Sequence, residues 1–245
     1  MNLANDPVSP VYIVIPAAGA GTRMNAGLNK QFLEIGRYPV IIRTLLTFDN
    51  HPAVTGCLVV AAPDEVKAMR MLIDRFALTK CLGVTAGGET RTRSVFNGLA
   101  AIAGIASRHP GSLVLVHDGA RCFVTPDVIS RVIGGIGKYG ACGAAVPVKD
   151  TIKQAGPDGS VLQTLDRSRL WAMQTPQGAA FEHLYSACEN AIKKDLTATD
   201  DLAVLELAGI PVHLVMGDYL NIKLTTPDDR LVAEQLARLI DEKGD

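Results

Sequence analysis

Five charged side chains stand beside glycine turns or strand ends: Arg23, Lys30, Asp118, Arg121 and Lys223. The first two bracket a turn in the run YIVIPAAGAGTRM at residues 12–24. After Pro16 ends the strand-like run, the glycine-rich turn from Ala17 through Ala18 and Gly19 to Gly21 leaves backbone N–H groups unobstructed, so they can converge on an anion. A cation behind the turn, and a second in Asn29-Lys30-Gln31, make the expected anion a triphosphate. Asp118 and Gly119 lie in VHDGAR, directly after the apolar run LVLV. Open α/β sheets hold their ligand crevice at that edge. One carboxylate there suits Mg²⁺, which takes a few oxygens plus substrate phosphates. Arg121 adds a phosphate-binding fork, and His117 reads as a packed strand-end histidine. In GGETRTRSV, Gly87 and Gly88 permit close approach to a flat base, and Ser94 can read a pyrimidine edge. Lys223, in Asn221-Ile222-Lys223, reads as a strand cation, either at an edge or aimed into the crevice.

Two other phosphate sites are excluded. A dinucleotide fold needs G-x-G-x-x-G/A and an acidic residue about 20 positions later. Met24 takes the third glycine's place, and no acid follows in register. No Gly-Lys-Ser/Thr of a Walker A loop is present. With 24 basic and 25 acidic residues the net charge is -1, so no nucleic-acid partner is expected. Five scattered cysteines without a CxxC pair fit a reducing cytosol, hence a cytoplasmic protein. Residues 1–10 carry no positive or apolar region of a secretory signal. No apolar run approaches the ~20 residues of a membrane span, so no membrane partner is expected.

The elements that must position these residues alternate. Apolar runs at 12–15, 57–62, 113–117, 142–148 and 212–216 read as strands buried on both faces, with a shorter run at 82–85. Helical patterns fall at 40–48, 64–76, 91–107, 126–139, 181–193, 200–208 and 227–242. Thr125-Pro126 and Thr226-Pro227 each put a cap before a first-turn proline. The alternation predicts an α/β, Rossmann-like, doubly wound and mostly parallel sheet. Residues 149–170 break the rhythm. Polar alternating runs flank Gly156-Pro157-Asp158-Gly159 and predict a protruding antiparallel hairpin, either a solvated one or an arm that packs on a partner subunit. Residues 1–245 read as one domain carrying that arm.

Taken in order, PAAGAGTRM, NKQ, GGETR with Ser94, VHDGAR, PVKDT, DR at 166–167, QTPQ, TD at 199–200 and NIK resemble the cytidylyltransferases that act on 2-C-methyl-D-erythritol 4-phosphate. The resemblance spans about residues 11–240. It implies a nucleotidyltransferase that joins CTP to a polyol phosphate, with Mg²⁺ and release of pyrophosphate. It assigns Arg23, Lys30 and Lys223 to catalysis, and Pro16, Ala17, Ala18, Gly19, Gly21, Gly88, Ser94 and Gly119 to the nucleotide. Asp118, Arg121, Thr151, Arg167, Thr175 and Thr199 fall to the acceptor, with Asp118 also at the metal. It further implies a homodimer whose arm, with Thr151 and Arg167, reaches the neighbour's site. Ribitol- or ribulose-5-phosphate cytidylyltransferases, a sugar-1-phosphate nucleotidyltransferase and a non-catalytic nucleotide sensor remain as alternatives. Cys122 stands where the family usually has proline, and Arg93 where it has an acidic or neutral residue.

Overall fold

The run VYIVIP of β1 (Val11–Pro16) holds no charge and is apolar on both sides of the pleat. Such a strand is stable only when covered twice. The computed structural model describes residues 9–19, 29–106, 109 and 111–242. Further strands are β2 (Glu34–Ile35), β3 (Tyr38–Pro39), β4 (Gly56–Ala61), β5 (Cys81–Ala86), β6 (Leu113–Val116), β7 (Ala141–Pro147), β8 (Lys153–Ala155), β9 (Val161–Thr164), β10 (Trp171–Ala180) and β11 (His213–Met216). The helices are α1 (Val40–Asp49), α2 (Val66–Asp74), α3 (Arg91–Ala106), α4 (Pro126–Tyr139), α5 (Phe181–Lys193), α6 (Asp201–Leu207) and α7 (Pro227–Asp241). A seven-stranded sheet has the order β11-β7-β10-β6-β1-β4-β5. Its neighbours pair in parallel, except that β10 runs antiparallel to both β6 and β7.

Ile13 and Ile15 face a layer with Ile41, Leu45 and Phe48 of α1, Met69 of α2 and Ile129 of α4. Tyr12 and Val14 face the other layer, with Leu99 of α3, Leu184 of α5 and Leu205 of α6. Each buried isoleucine contributes roughly 1.5–3 kcal/mol through area removed from water. A third cluster joins Ala233 and Ala237 of α7 to Ala120, Cys122, Phe123 and Leu224. It seats the last helix beneath the loops that leave the sheet's carboxyl edge. Cys122 is 2% exposed there and burial pushes its thiol up to about 12, so it packs as a small inert apolar residue.

Three expectations need correction. Residues 171–180 form a ten-residue strand that the pattern had not marked, because Gln174, Pro176 and Gln177 interrupt its apolar run. Residues 221–223 form a loop rather than a strand. The segment 64–76 splits into a 3₁₀ turn at Pro63–Glu65 and α2. The expected antiparallel hairpin is present: β8 pairs with β9 around the glycine turn, and all its strand residues are exposed.

Candidate active site

The carboxyl edge of the parallel strands gathers the site. β1 ends at Pro16, β5 delivers the Gly87–Gly88 turn, and β6 runs into His117 and Asp118. Two cavities open along this edge. One, of about 380 Å³, is lined by Pro16, Ala18, Gly19, Lys30, Gly88 and Ser94, among others. The second, of about 320 Å³, is lined by Arg121, Met173, Gln174, Thr175, Thr199 and Asp200, among others. Arg91, Asp118 and Lys223 line both, so the cavities meet at these three side chains.

Asp118 is the anionic centre of that junction. Its carboxylate accepts from Lys223 Nζ at 2.9 Å, and more loosely from Arg121 Nε and Arg91 Nη2, each at 3.4 Å. Burial alone would raise its pKa, but Lys223 and Arg91 outweigh burial and hold it well below the usual carboxylate range. Arg91 is anchored from behind by two donations to Asp201, at 2.8 and 2.7 Å. Burial works against the Arg91 cation, yet Asp201 and Asp118 more than offset this and raise its pKa. Burial pushes Asp201 up, and Arg91 pulls it back. Lys30 donates to the carbonyl of Leu224 at 2.9 Å, which ties the short 3₁₀ turn Lys30–Phe32 to the Lys223 segment.

The nucleotide side is shaped by small residues. Gly88 N–H donates to Ser94 Oγ at 3.0 Å, so the serine locks the turn that lines the cavity. A Cβ at Gly87 would lie 2.8 Å from that of Ala18, so the two turns touch only because glycine is there. Ala17 is turned into the core, with its N–H donated to Val60 O at 2.7 Å. Gly119 packs against Gln31, and its carbonyl accepts from Thr44.

Of the residues expected from the sequence, the structure brings together Pro16, Ala18, Gly19, Lys30, Gly88, Ser94, Asp118, Arg121, Thr175, Thr199 and Lys223 around the two cavities. Gly21 and Arg23 lie outside the described residues. Thr151 and Arg167 sit on the exposed hairpin and line neither cavity; Arg167 donates to Lys149 O at 2.8 Å. Arg91 carries no local sequence signal of its role. It stands inside GGETR, but its part depends on Asp201, far away in the chain. Among the described residues, no group of three or more His, Cys, Asp or Glu could hold a metal by itself. Asp118, held between Lys223, Arg121 and Arg91, fits a hard cation that arrives with phosphate oxygens rather than a resident one.

An open α/β sheet with a cationic junction between a glycine-lined cleft and a polar one defines a nucleotidyltransferase-type enzyme. Residues 11–238 match the family described as IspD, 2-C-methyl-D-erythritol 4-phosphate cytidylyltransferase. The enzyme of that name from Geobacillus kaustophilus is 45% identical over 91% of this chain and 95% of its own length. That from Pelotomaculum thermopropionicum is 42% identical over 93% and 94%. The solved 4-diphosphocytidyl-2C-methyl-D-erythritol synthase of Anaerococcus prevotii superposes with a TM-score of 0.80 at 28% identity, covering 94% and 96% of the two chains. The Thermus thermophilus 2-C-methyl-D-erythritol 4-phosphate cytidylyltransferase does so with a TM-score of 0.73 at 32% identity, covering 94% and 99%. The chain belongs to the 2-C-methyl-D-erythritol 4-phosphate cytidylyltransferase family.

Proposed function

We propose that the chain transfers the cytidylyl group of CTP to 2-C-methyl-D-erythritol 4-phosphate and releases pyrophosphate. The meeting of the two cavities at Arg91, Asp118 and Lys223 carries this reading, because two polyanions must touch at one point. An oxygen of the acceptor phosphate attacks the α-phosphorus in line. The bond from that phosphorus to the bridging oxygen breaks, and its electron pair leaves with pyrophosphate. The nucleophile is already an anion, so no covalent intermediate or general base is needed. The protein's work is positioning and charge stabilisation. Arg23 and Lys30 hold the triphosphate, Arg121 and Lys223 the acceptor phosphate, and Thr175 and Thr199 line the acceptor cleft. A Mg²⁺ bound by Asp118 and substrate oxygens would neutralise phosphate charge.

The exposed hairpin serves a homodimer, in which Thr151 and Arg167 reach the neighbour's acceptor cleft. Exposed Val161 and Leu162 support this, since an isolated arm has no reason to present both. No helix among the described residues is long and apolar enough to cross a membrane, and five free cysteines support a cytoplasmic setting. Pyrophosphate release from CTP and Mg²⁺, with methylerythritol phosphate and separately with ribitol 5-phosphate, tests the reading. Release with the first acceptor is expected. Release only with the pentitol, or with neither, overturns it.

A further inference from the structure

The roles above use Asp118 and Arg121 of VHDGAR and Lys223 of NIK, and leave His117 and Asn221 without a task. Both are 0% exposed. His117 Nε2 lies 3.0 Å from the carbonyl of Arg121, which only a donated N–H can satisfy. Its Nδ1 is therefore an acceptor, 3.0 Å from Thr175 Oγ1. That hydroxyl also accepts the N–H of Asp118 at 3.0 Å, so its own proton goes to the histidine. The carbonyl of Thr175 accepts from Asn221 Nδ2 at 2.8 Å, and the carbonyl of Asn221 accepts from Arg121 Nη1 at 2.8 Å. The bonds close a ring: His117, Thr175, Asn221, Arg121 and back to His117.

The ring ties three segments remote in sequence, 117–121, 174–175 and 221–223. Each ends in a group of the acceptor cleft. Asp118 is fixed through its backbone N–H, Arg121 through both its carbonyl and its guanidinium, and Lys223 through the residue two places before it. Buried polar groups tolerate few other arrangements, because each bond lost strands a donor or acceptor away from water. Phe48 closes the outer side, with its ring 5.0 Å from that of His117. Resting on the proposed reaction, we propose that His117 and Asn221 are positioning residues that aim Arg121 and Lys223 at the acceptor phosphate. Neither touches the substrate. Thr175 spends its hydroxyl in the same ring, so it orients the cleft rather than offering a free donor to the polyol.

The test compares wild type with His117→Leu, His117→Gln and Asn221→Asp. Acceptor kcat/KM is read by pyrophosphate release at saturating CTP, and CTP affinity by calorimetry. His117→Leu and Asn221→Asp should lower acceptor kcat/KM by about tenfold or more, since each breaks a buried hydrogen bond and strands a backbone carbonyl, with the CTP Kd within about twofold of wild type. The glutamine amide can still donate to the Arg121 carbonyl, so His117→Gln should recover part of the loss. Asn221→Asp keeps the volume of the site and carries the test if His117→Leu fails to fold. CTP affinity and acceptor kcat/KM falling together overturns the proposal, as does kcat falling at constant acceptor KM, or glutamine no better than leucine. An active wild type with unchanged variants sinks the ring and leaves the reaction standing. A wild type active only with ribitol 5-phosphate sinks the reading, and the same variants then judge the ring with that acceptor.

Discussion

Lys223 Nζ already points to the junction, 2.9 Å from Asp118, while Lys30 is held against Leu224 at its other wall. Both cations are placed before any phosphate arrives, and preorganised charge of this kind carries most of the stabilisation in phosphoryl transfer. Lys30→Ala and Lys223→Ala should each lower turnover by about 10²–10³-fold. Lys223 is 39% exposed at the side chain but is the nearest cation to the buried Asp118, so its removal should also lower the thermal midpoint, by far less than it lowers turnover. Turnover assays beside melting curves check this, and normal turnover in either variant would remove the role. These lysines were readable from sequence because each stands in a short motif beside a glycine turn or a cap. Arg91 was not, since its importance comes from a bidentate bond to Asp201 that no local pattern announces. His117 and Asn221 were visible as motif members, but their tasks exist only once three distant loops meet.

At the level of elements, the α7 start is what holds the Lys223 loop in place. The Asp229 carboxylate accepts from Thr225 N, Thr225 Oγ1 and Thr226 N at 2.7, 2.8 and 2.7 Å. Asp229→Ala should cost about 1 kcal/mol of stability, the usual worth of a lost cap, and should loosen Lys223 as well. Denaturant midpoints give the first effect and acceptor KM the second; an unchanged midpoint would contradict the cap. The hairpin gives the opposite case. β8 and β9 are exposed throughout and contribute nothing to the three core clusters. If the proposed arm holds a dimer, replacing residues 153–164 by a short Gly-Ser link should leave a folded monomer, lower the melt only by the lost association, and remove most pyrophosphate release. Sedimentation of the variant decides this, and an undisturbed dimer would refute the arm. The hairpin and both Thr-Pro caps were legible, because turn chemistry is local. Strand β10 was hidden: it is buried through contacts with β6 and β7, and its own residues alternate too poorly to show it.

For the molecule as a whole, the doubly wound sheet was legible because its parallel strands must be apolar on both faces, whereas the order of strands and the reversed β10 are set by packing of distant segments. The same double burial makes the fold acid-sensitive. His117 is enclosed by Phe48, Thr175, Arg121 and Asp118, and burial lowers its pKa from 6.5 to about 4. Burial also lowers that of His51, which sits against Ser130 with Lys80 nearby. A depressed histidine is neutral in the native state while the unfolded chain takes up the proton first. Stability is therefore full above about pH 6.5 and falls as pH drops toward 4. His117 alone accounts for a loss on the order of 3 kcal/mol over that window. Below it the sign persists for Asp118, Asp229 and Asp241, whose pKa values are depressed by the cations or donors around them; their contribution is present above 3.8 and lost as they protonate. Asp201, raised by burial, works in the opposite direction, but it is one group against several. Urea midpoints should thus be level from pH 8 to about pH 7, decline between 6.5 and 4, and drop further below. His117→Gln should flatten the upper part of that decline, and a wild-type midpoint that stays level down to pH 4.5 would show that the buried histidines do not control it.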